Sequence, residues 1–97
     1  MAKTRLEIID SLAHAKPEME KRFGVRRMAL FGSYARGDFS PGSDVDVLVD
    51  VDASIGLEFV TLADAIEHAV GIKADVVSRR AIRPKLLALI EQESIYV

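Results

Sequence analysis

The chain has 97 residues, 13 Lys and Arg against 15 Asp and Glu, and no cysteine; that length supports one core that hides about 60–65% of the unfolded surface, which excludes a deep, enclosed substrate chamber. Disulfides, thiolate zinc sites and cysteine nucleophiles are excluded with the cysteines. The net charge of −2 conceals a segregation: residues 1–36 carry 8 basic and 4 acidic side chains, residues 37–72 carry 8 acidic and no basic ones, and residues 73–97 carry 5 basic and 3 acidic ones.

Helical spacing starts the chain. Leu6, Ile9, Leu12 and Ala13 recur on one face after Thr4, a suitable N-cap. Pro17 suits the first turn of a second short helix that Gly24 ends. Val25 to Phe31 reads as a short buried strand, followed at once by the turn at Gly32. Pro41 and Gly42 mark a loop, and Asp44 to Val51, which opens Asp-Val-Asp-Val, reads as a second strand. From Leu57 to Val70 the apolar residues Phe59, Leu62, Ala63, Ile66 and Val70 have the period of a helix, with Gly71 as its C-cap. Ile72 to Val77 reads as a third strand, and Pro84 to Glu93 as a final helix. The expected fold class is α+β: a single domain, residues 1–97, with a small three-stranded mixed sheet flanked by helices. The longest aliphatic run, Leu86 to Ile90, is too short for a bilayer, and Met1-Ala2-Lys3-Thr4-Arg5 opens no secretory segment, so a cytoplasmic, membrane-free protein is expected.

Three features carry chemistry. Gly32-Ser33 follows a predicted strand and precedes a short turn, where backbone N–H groups and a serine hydroxyl suit a phosphate; alone, Gly-Ser marks ordinary turns more often. Asp44 and Asp46 lie two apart on a strand, so the pleat puts both carboxylates on one face, roughly 7 Å apart at the backbone, within reach of one metal. A half-exposed strand with solvated acids would give the same pattern. Asp75 interrupts an apolar strand, where burial without a partner would be costly. Its compensation is either a salt bridge to Arg79, Arg80 or Arg26, or a metal shared with Asp44 and Asp46. Hard oxygen ligands select Mg²⁺ or Mn²⁺, and three carboxylates opposite a phosphate turn suit phosphoryl or nucleotidyl transfer.

The run Gly32-Ser33-Tyr34-Ala35-Arg36-Gly37, five intervening residues, then Ser43-Asp44-Val45-Asp46 resembles the motif of the polymerase-β-type nucleotidyltransferases, specifically the minimal (MNT-type) ones. Fifteen consecutive residues match at the family's spacing, and Asp75 fills the place of its third carboxylate. The resemblance implies the polymerase-β-like nucleotidyltransferase fold and a reaction in which two Mg²⁺ ions hold an NTP, an acceptor hydroxyl attacks the α-phosphorus and pyrophosphate leaves. It implies that Asp44, Asp46 and Asp75 are the catalytic and metal-binding residues, Asp75 holding the metal that activates the acceptor and able to take its proton. Gly32, Ser33, Arg36 and Ser43 would be the nucleotide-binding residues, although Arg36 has a second reading as the partner of a nearby carboxylate. Tyr34 reads as packing, and His14 and His68 as surface residues.

Larger members of that superfamily add domains that hold the acceptor, for which 97 residues have no room, so the acceptor site is expected to be borrowed. Minimal members resemble the antitoxin half of a two-gene module whose partner is a HEPN-domain ribonuclease toxin. The resemblance therefore implies transfer of AMP from ATP to a tyrosine hydroxyl of that toxin. A pI near 5.6 and the acidic middle third argue against direct nucleic-acid binding. The alternative is a non-catalytic antitoxin or interaction module that inhibits by covering its partner; an independent transferase acting on a small molecule is disfavoured by length. Ile55, Ile95 and Tyr96 are candidates for a partner surface, homo-oligomerisation is left open, and Asp50, Asp52, Glu58, Asp64 and Glu67 read as a solvated acidic face, with Asp38 a loop residue.

Overall fold

A computed structural model describes residues 3–97; Met1 and Ala2 lie outside the described residues. The chain runs α1 (Arg5–Phe23), β1 (Arg27–Phe31), α2 (Gly32–Arg36), β2 (Val45–Asp50), α3 (Glu58–Val70), β3 (Ala74–Ser78), α4 (Pro84–Glu93) and β4 (Ile95–Tyr96). Its Cα radius of gyration is 12.5 Å.

Helix α1 opens with a reciprocal cap. The Glu7 N–H donates to Thr4 Oγ1 and the Thr4 N–H donates to Glu7 Oε1, both at 3.1 Å. It ends at Gly24, which adopts the left-handed conformation (φ 71°) and donates to Glu20 O. Pro17 does not start a second helix: it lies inside one continuous helix of 19 residues. The apolar face held by the core at Ile8, Leu12 and Met19 carries the helix through the hydrogen bond that proline cannot donate.

The sheet has the order β3-β2-β1-β4, antiparallel at β1–β2 and β1–β4 and parallel at β2–β3. It has four strands rather than the expected three. The fourth is a two-residue element recognisable only by its pairing with β1, Ala29 opposite Tyr96 and Leu30 opposite Ile95. The strand limits also shift: β1 starts at Arg27 rather than Val25, β2 at Val45, leaving Asp44 just ahead of it, and β3 at Ala74.

Register sorts the two faces. Met28, Leu30, Val45, Val47 and Val49 share one face and join the core formed with Ile8, Leu12 and Met19 of α1 and Leu62, Ile66 and Val70 of α3. Full burial of each such side chain contributes roughly 1.5–3 kcal/mol. The other face carries Ala29 and Phe31 of β1, Asp46 and Leu48 of β2, and Asp75 and Val77 of β3. Helix α4 adds nothing to the α1–α3 core and packs against β1 and α2. No helix among the described residues is long and apolar enough to cross a membrane.

Because Pro17 is exposed within a helix interior, Pro17→Ala is expected to stabilise the fold by about 1–3 kcal/mol. Urea denaturation followed by circular dichroism measures it; two separate helices, with Pro17 at an N-terminal position, would instead show a loss.

Candidate active site

The site is built where β1 stops. Gly32 follows Phe31 directly, is buried, and takes φ +75° as the first residue of α2. A Cβ at this position would overlap the carboxyl group of Asp46. Only glycine permits both the left-handed backbone and that approach. Sequence reasoning assigns Gly32 to a close approach by phosphate; the structure adds the Asp46 carboxylate as a neighbour that requires it.

Asp46 pairs in register with Phe31 on one side and Asp75 on the other. Asp44 lies two residues before Asp46, one pleat away. Asp46 points toward the open face while Val45 and Val47 are fully buried beneath, and Asp44, just ahead of the strand, is near enough for its charge to act on Asp46. Asp46 itself is half-buried, and its pKa is raised above the ordinary carboxylate value, first by burial and then by the negative charges of Asp75 and Asp44.

Asp75 corrects an expectation. It is exposed, because β3 is the edge strand of the sheet, so no burial cost demands compensation. Two of the three cations considered as its partners reach other acids: Arg26 lies 3.9 Å from both Asp50 and Asp52, and Arg79 Nε donates to Glu91 at 2.8 Å. Among the described residues no ion pair reaches Asp44, Asp46 or Asp75.

The donor set fits a hard divalent cation. Clustered carboxylates repel one another, the charges of Asp75 and Asp44 adding to burial in raising the Asp46 pKa, and a bound cation relieves that repulsion. The described residues do not by themselves group three or more ligands closely enough for a closed metal cage. Mg²⁺ is ordinarily held by one or two carboxylates with substrate phosphates completing its shell, so an open carboxylate pair suits that cation.

The remaining motif residues have definite places. Ser33 engages only its carbonyl, which accepts from the Gly37 and Asp38 N–H groups at 2.9 and 3.1 Å, and among the described residues its hydroxyl has no partner. Arg36 is paired with carboxylates, its Nε donating to Asp38 at 3.1 Å and its Nη1 to Glu93 at 2.9 Å. Ser43 Oγ accepts from the Ser40 N–H at 3.0 Å and so closes its own loop. Tyr34 is buried and stacked on Phe39, as its packing role requires, and His14 and His68 are exposed. A cavity of about 350 Å³ opens beside Asp44, lined by Lys3, Tyr34, Ser43, Ile72 and Lys73. A larger concavity, about 730 Å³ between the end of α3 and the start of β3, holds none of the motif residues.

Several acids read as solvated have partners. Asp50 is mostly buried and lies 3.3 Å from Arg27, Asp52 accepts from the Ser54 N–H, and Glu67 accepts from the Ala74 N–H at 2.8 Å. Glu58 and Asp64 are exposed. Ile55 and Ile95 are half-buried against the core, leaving Tyr96 as the exposed member of that trio. Sequence reasoning missed Glu93, which donates nothing to the motif's pattern and lies 61 residues from the glycine it touches.

The model of a family described as "Nucleotidyltransferase domain" matches residues 12–97. The chain belongs to that family. A relative at 37% identity, covering all of both chains, is the protein adenylyltransferase MntA of Thermococcus cleftensis. A solved structure described as a minimal nucleotidyltransferase superposes with a TM-score of 0.78 at 32% identity, covering 98% of each chain. A crystal structure of a toxin–antitoxin pair with AMP-PNP shares the fold, with a TM-score of 0.62 at 22% identity over 97% of this chain and 72% of that one. This chain is thus a nucleotidyltransferase, with the α+β fold expected of the minimal members.

Two outcomes test the site. Gly32→Ala should lower Tm by roughly 5–15 °C, from the left-handed backbone alone, with further loss from displacing Asp46; calorimetry measures it. For Asp46 the sign follows from its raised native pKa: ionised at neutral pH, it opposes folding, and stability is regained as pH falls through the native pKa toward the unfolded value near 3.8. Asp46→Asn should therefore raise Tm at pH 7 in metal-free buffer, with the difference closing as the pH approaches 4. A variant less stable than the parent at pH 7 would contradict this.

Proposed function

We propose that this nucleotidyltransferase is a Mg²⁺-dependent protein adenylyltransferase that transfers AMP from ATP to a hydroxyl, a tyrosine's, on a partner HEPN-type ribonuclease toxin, and so silences it. The observation that carries the reading is the placement of Asp46 beside Asp75 on adjacent strands, with Asp44 one pleat away and the Gly32-Ser33 turn packed on Asp46. The choice of AMP and of a protein acceptor is supported by the adenylyltransferase at 37% identity. The toxin partner is supported by the motif's resemblance to antitoxins and by the shared fold of a toxin–antitoxin pair.

In this reading the acceptor oxygen forms a bond to the α-phosphorus as the bond from that phosphorus to the β-phosphate bridging oxygen breaks, and pyrophosphate leaves. Asp44 and Asp46 would hold Mg²⁺ together with the substrate phosphates, with Asp75 beside them on β3, and the cation would neutralise the triphosphate and the charge that develops on it. The Ser33 hydroxyl, without a partner among the described residues, is available to donate to a phosphate oxygen. Asp75, exposed on the sheet edge, is the carboxylate an incoming hydroxyl meets first, and it takes the proton. The half-buried Asp46 is held rigidly by its strand partners and by Gly32, which fixes the geometry before substrate arrives.

Co-expression with the product of the adjacent gene, followed by intact-mass measurement of that product, tests the proposal. The expected result is a gain of one or more AMP units, reduced by at least about 10²–10³-fold in initial rate with Asp44→Ala or Asp46→Ala and abolished by EDTA. Neutralisation with no mass change would establish inhibition by binding alone and overturn the enzymatic reading.

A further inference from the structure

The Gly32 N–H donates to Glu93 Oε1 at 3.1 Å, while Glu93 Oε2 accepts from Arg36 Nη1 at 2.9 Å. One carboxylate at the far end of the chain therefore holds two groups of the signature turn. We infer that Glu93 is a positioning residue for the nucleotide: it fixes the Gly32-Ser33 turn against Asp46 and orients Arg36, so that the Ser33 hydroxyl, without a partner among the described residues, is presented to the ligand.

The geometry has a simple origin. Strand β4 runs antiparallel to β1, with Leu30 opposite Ile95. Continuing that register two places sets Glu93 opposite Gly32, beyond the end of both strands. The segment is clamped on either side of this point. Ser94 Oγ donates to Ile90 O at 2.8 Å, the Val97 N–H donates to Met28 O at 3.0 Å, and Lys16 Nζ donates to Val97 O at 2.8 Å. Glu93 is thus delivered by sheet pairing, not by a mobile tail.

Two alternatives meet difficulties. A simple surface ion pair would not engage a buried backbone N–H, yet Gly32 is buried and, among the described residues, this carboxylate is the one side chain that accepts from its N–H. An anion merely occupying the seat of a phosphate would have to leave before substrate bound, exposing that N–H and freeing Arg36. Glu93 is three-quarters buried, and Arg36, which also contacts Asp38, balances its charge. A carboxylate so neutralised can stay while a triphosphate binds next to it.

The role rests on the nucleotide reading of the turn, and the test separates the two. Amide hydrogen exchange of Gly32 in the free chain, and titration with Mg·AMP-PNP by calorimetry, are measured for the parent, Glu93→Ala and Glu93→Gln. Glutamine keeps an oxygen for the Gly32 N–H but cannot accept from Arg36. In Glu93→Ala, Gly32 exchange should accelerate and Kd should rise roughly tenfold or more, as for loss of one charge-assisted hydrogen bond. In Glu93→Gln, slow Gly32 exchange should return while Kd recovers only in part, because Arg36 is no longer held. If Glu93→Ala does not fold, Glu93→Asp, which keeps the charge but shortens the reach, is expected to show the same weakening. Equal or tighter binding by Glu93→Ala, or unchanged Gly32 exchange, overturns the positioning role. A parent chain that does not bind Mg·AMP-PNP overturns the nucleotide reading and any part of Glu93 in it.

Discussion

Gly32 and Asp46 compete for one volume, and the site follows from how that competition is resolved. The carboxyl group of Asp46 sits where a side chain at position 32 would begin. Omitting the Cβ lets the backbone leave β1, turn into α2 and lie against an acid on the neighbouring strand. The same contact half-buries Asp46, which raises its pKa and brings the repulsion from Asp75 and Asp44 into a region of low dielectric. Stability is given up locally to keep negative charge concentrated at the end of the sheet. The buried core behind it, from Val45 and Val47 through Ile66 and Leu62, offsets that cost.

The sheet order makes the arrangement asymmetric. β3 lies at one edge, so Asp75 faces solvent, whereas β2 is flanked on both sides and Asp46 is not. Two acids in direct register therefore differ in environment, one fixed and one accessible. On the other edge, β4 is only two residues long, which limits the exposed backbone there and returns the chain to β1 with Glu93 facing the turn. Both ends of the sequence converge on the signature turn, since Arg5 Nη1 at the start of α1 donates to Ala35 O at 3.0 Å.

Much of this was legible from local rules. Thr4 as N-cap, and Gly24 and Gly71 as the residues that end their helices, mark helix ends because caps are decided by a few adjacent residues. The alternation around Asp44 and Asp46 identifies the face of the acids because a pleat has period two whatever its surroundings. Pro17 misled because its local preference for a first turn is outweighed by burial of Ile8, Leu12 and Met19 along the same helix. Asp75 misled for a related reason: apolar neighbours suggest burial, but exposure depends on whether a further strand lies alongside.

The sequence alone determined the residue types and spacings that chemistry needs: a glycine-serine turn, two acids one pleat apart, a third on a later strand, and no cysteine. These are set by covalent order and by short-range geometry. Only the tertiary structure decided that Asp75 lies on an edge, that Arg36 is bound by Asp38 and Glu93, and that Glu93 reaches Gly32 across 61 residues. Those outcomes depend on strand order and register, which many residues of the core fix together and no local pattern records.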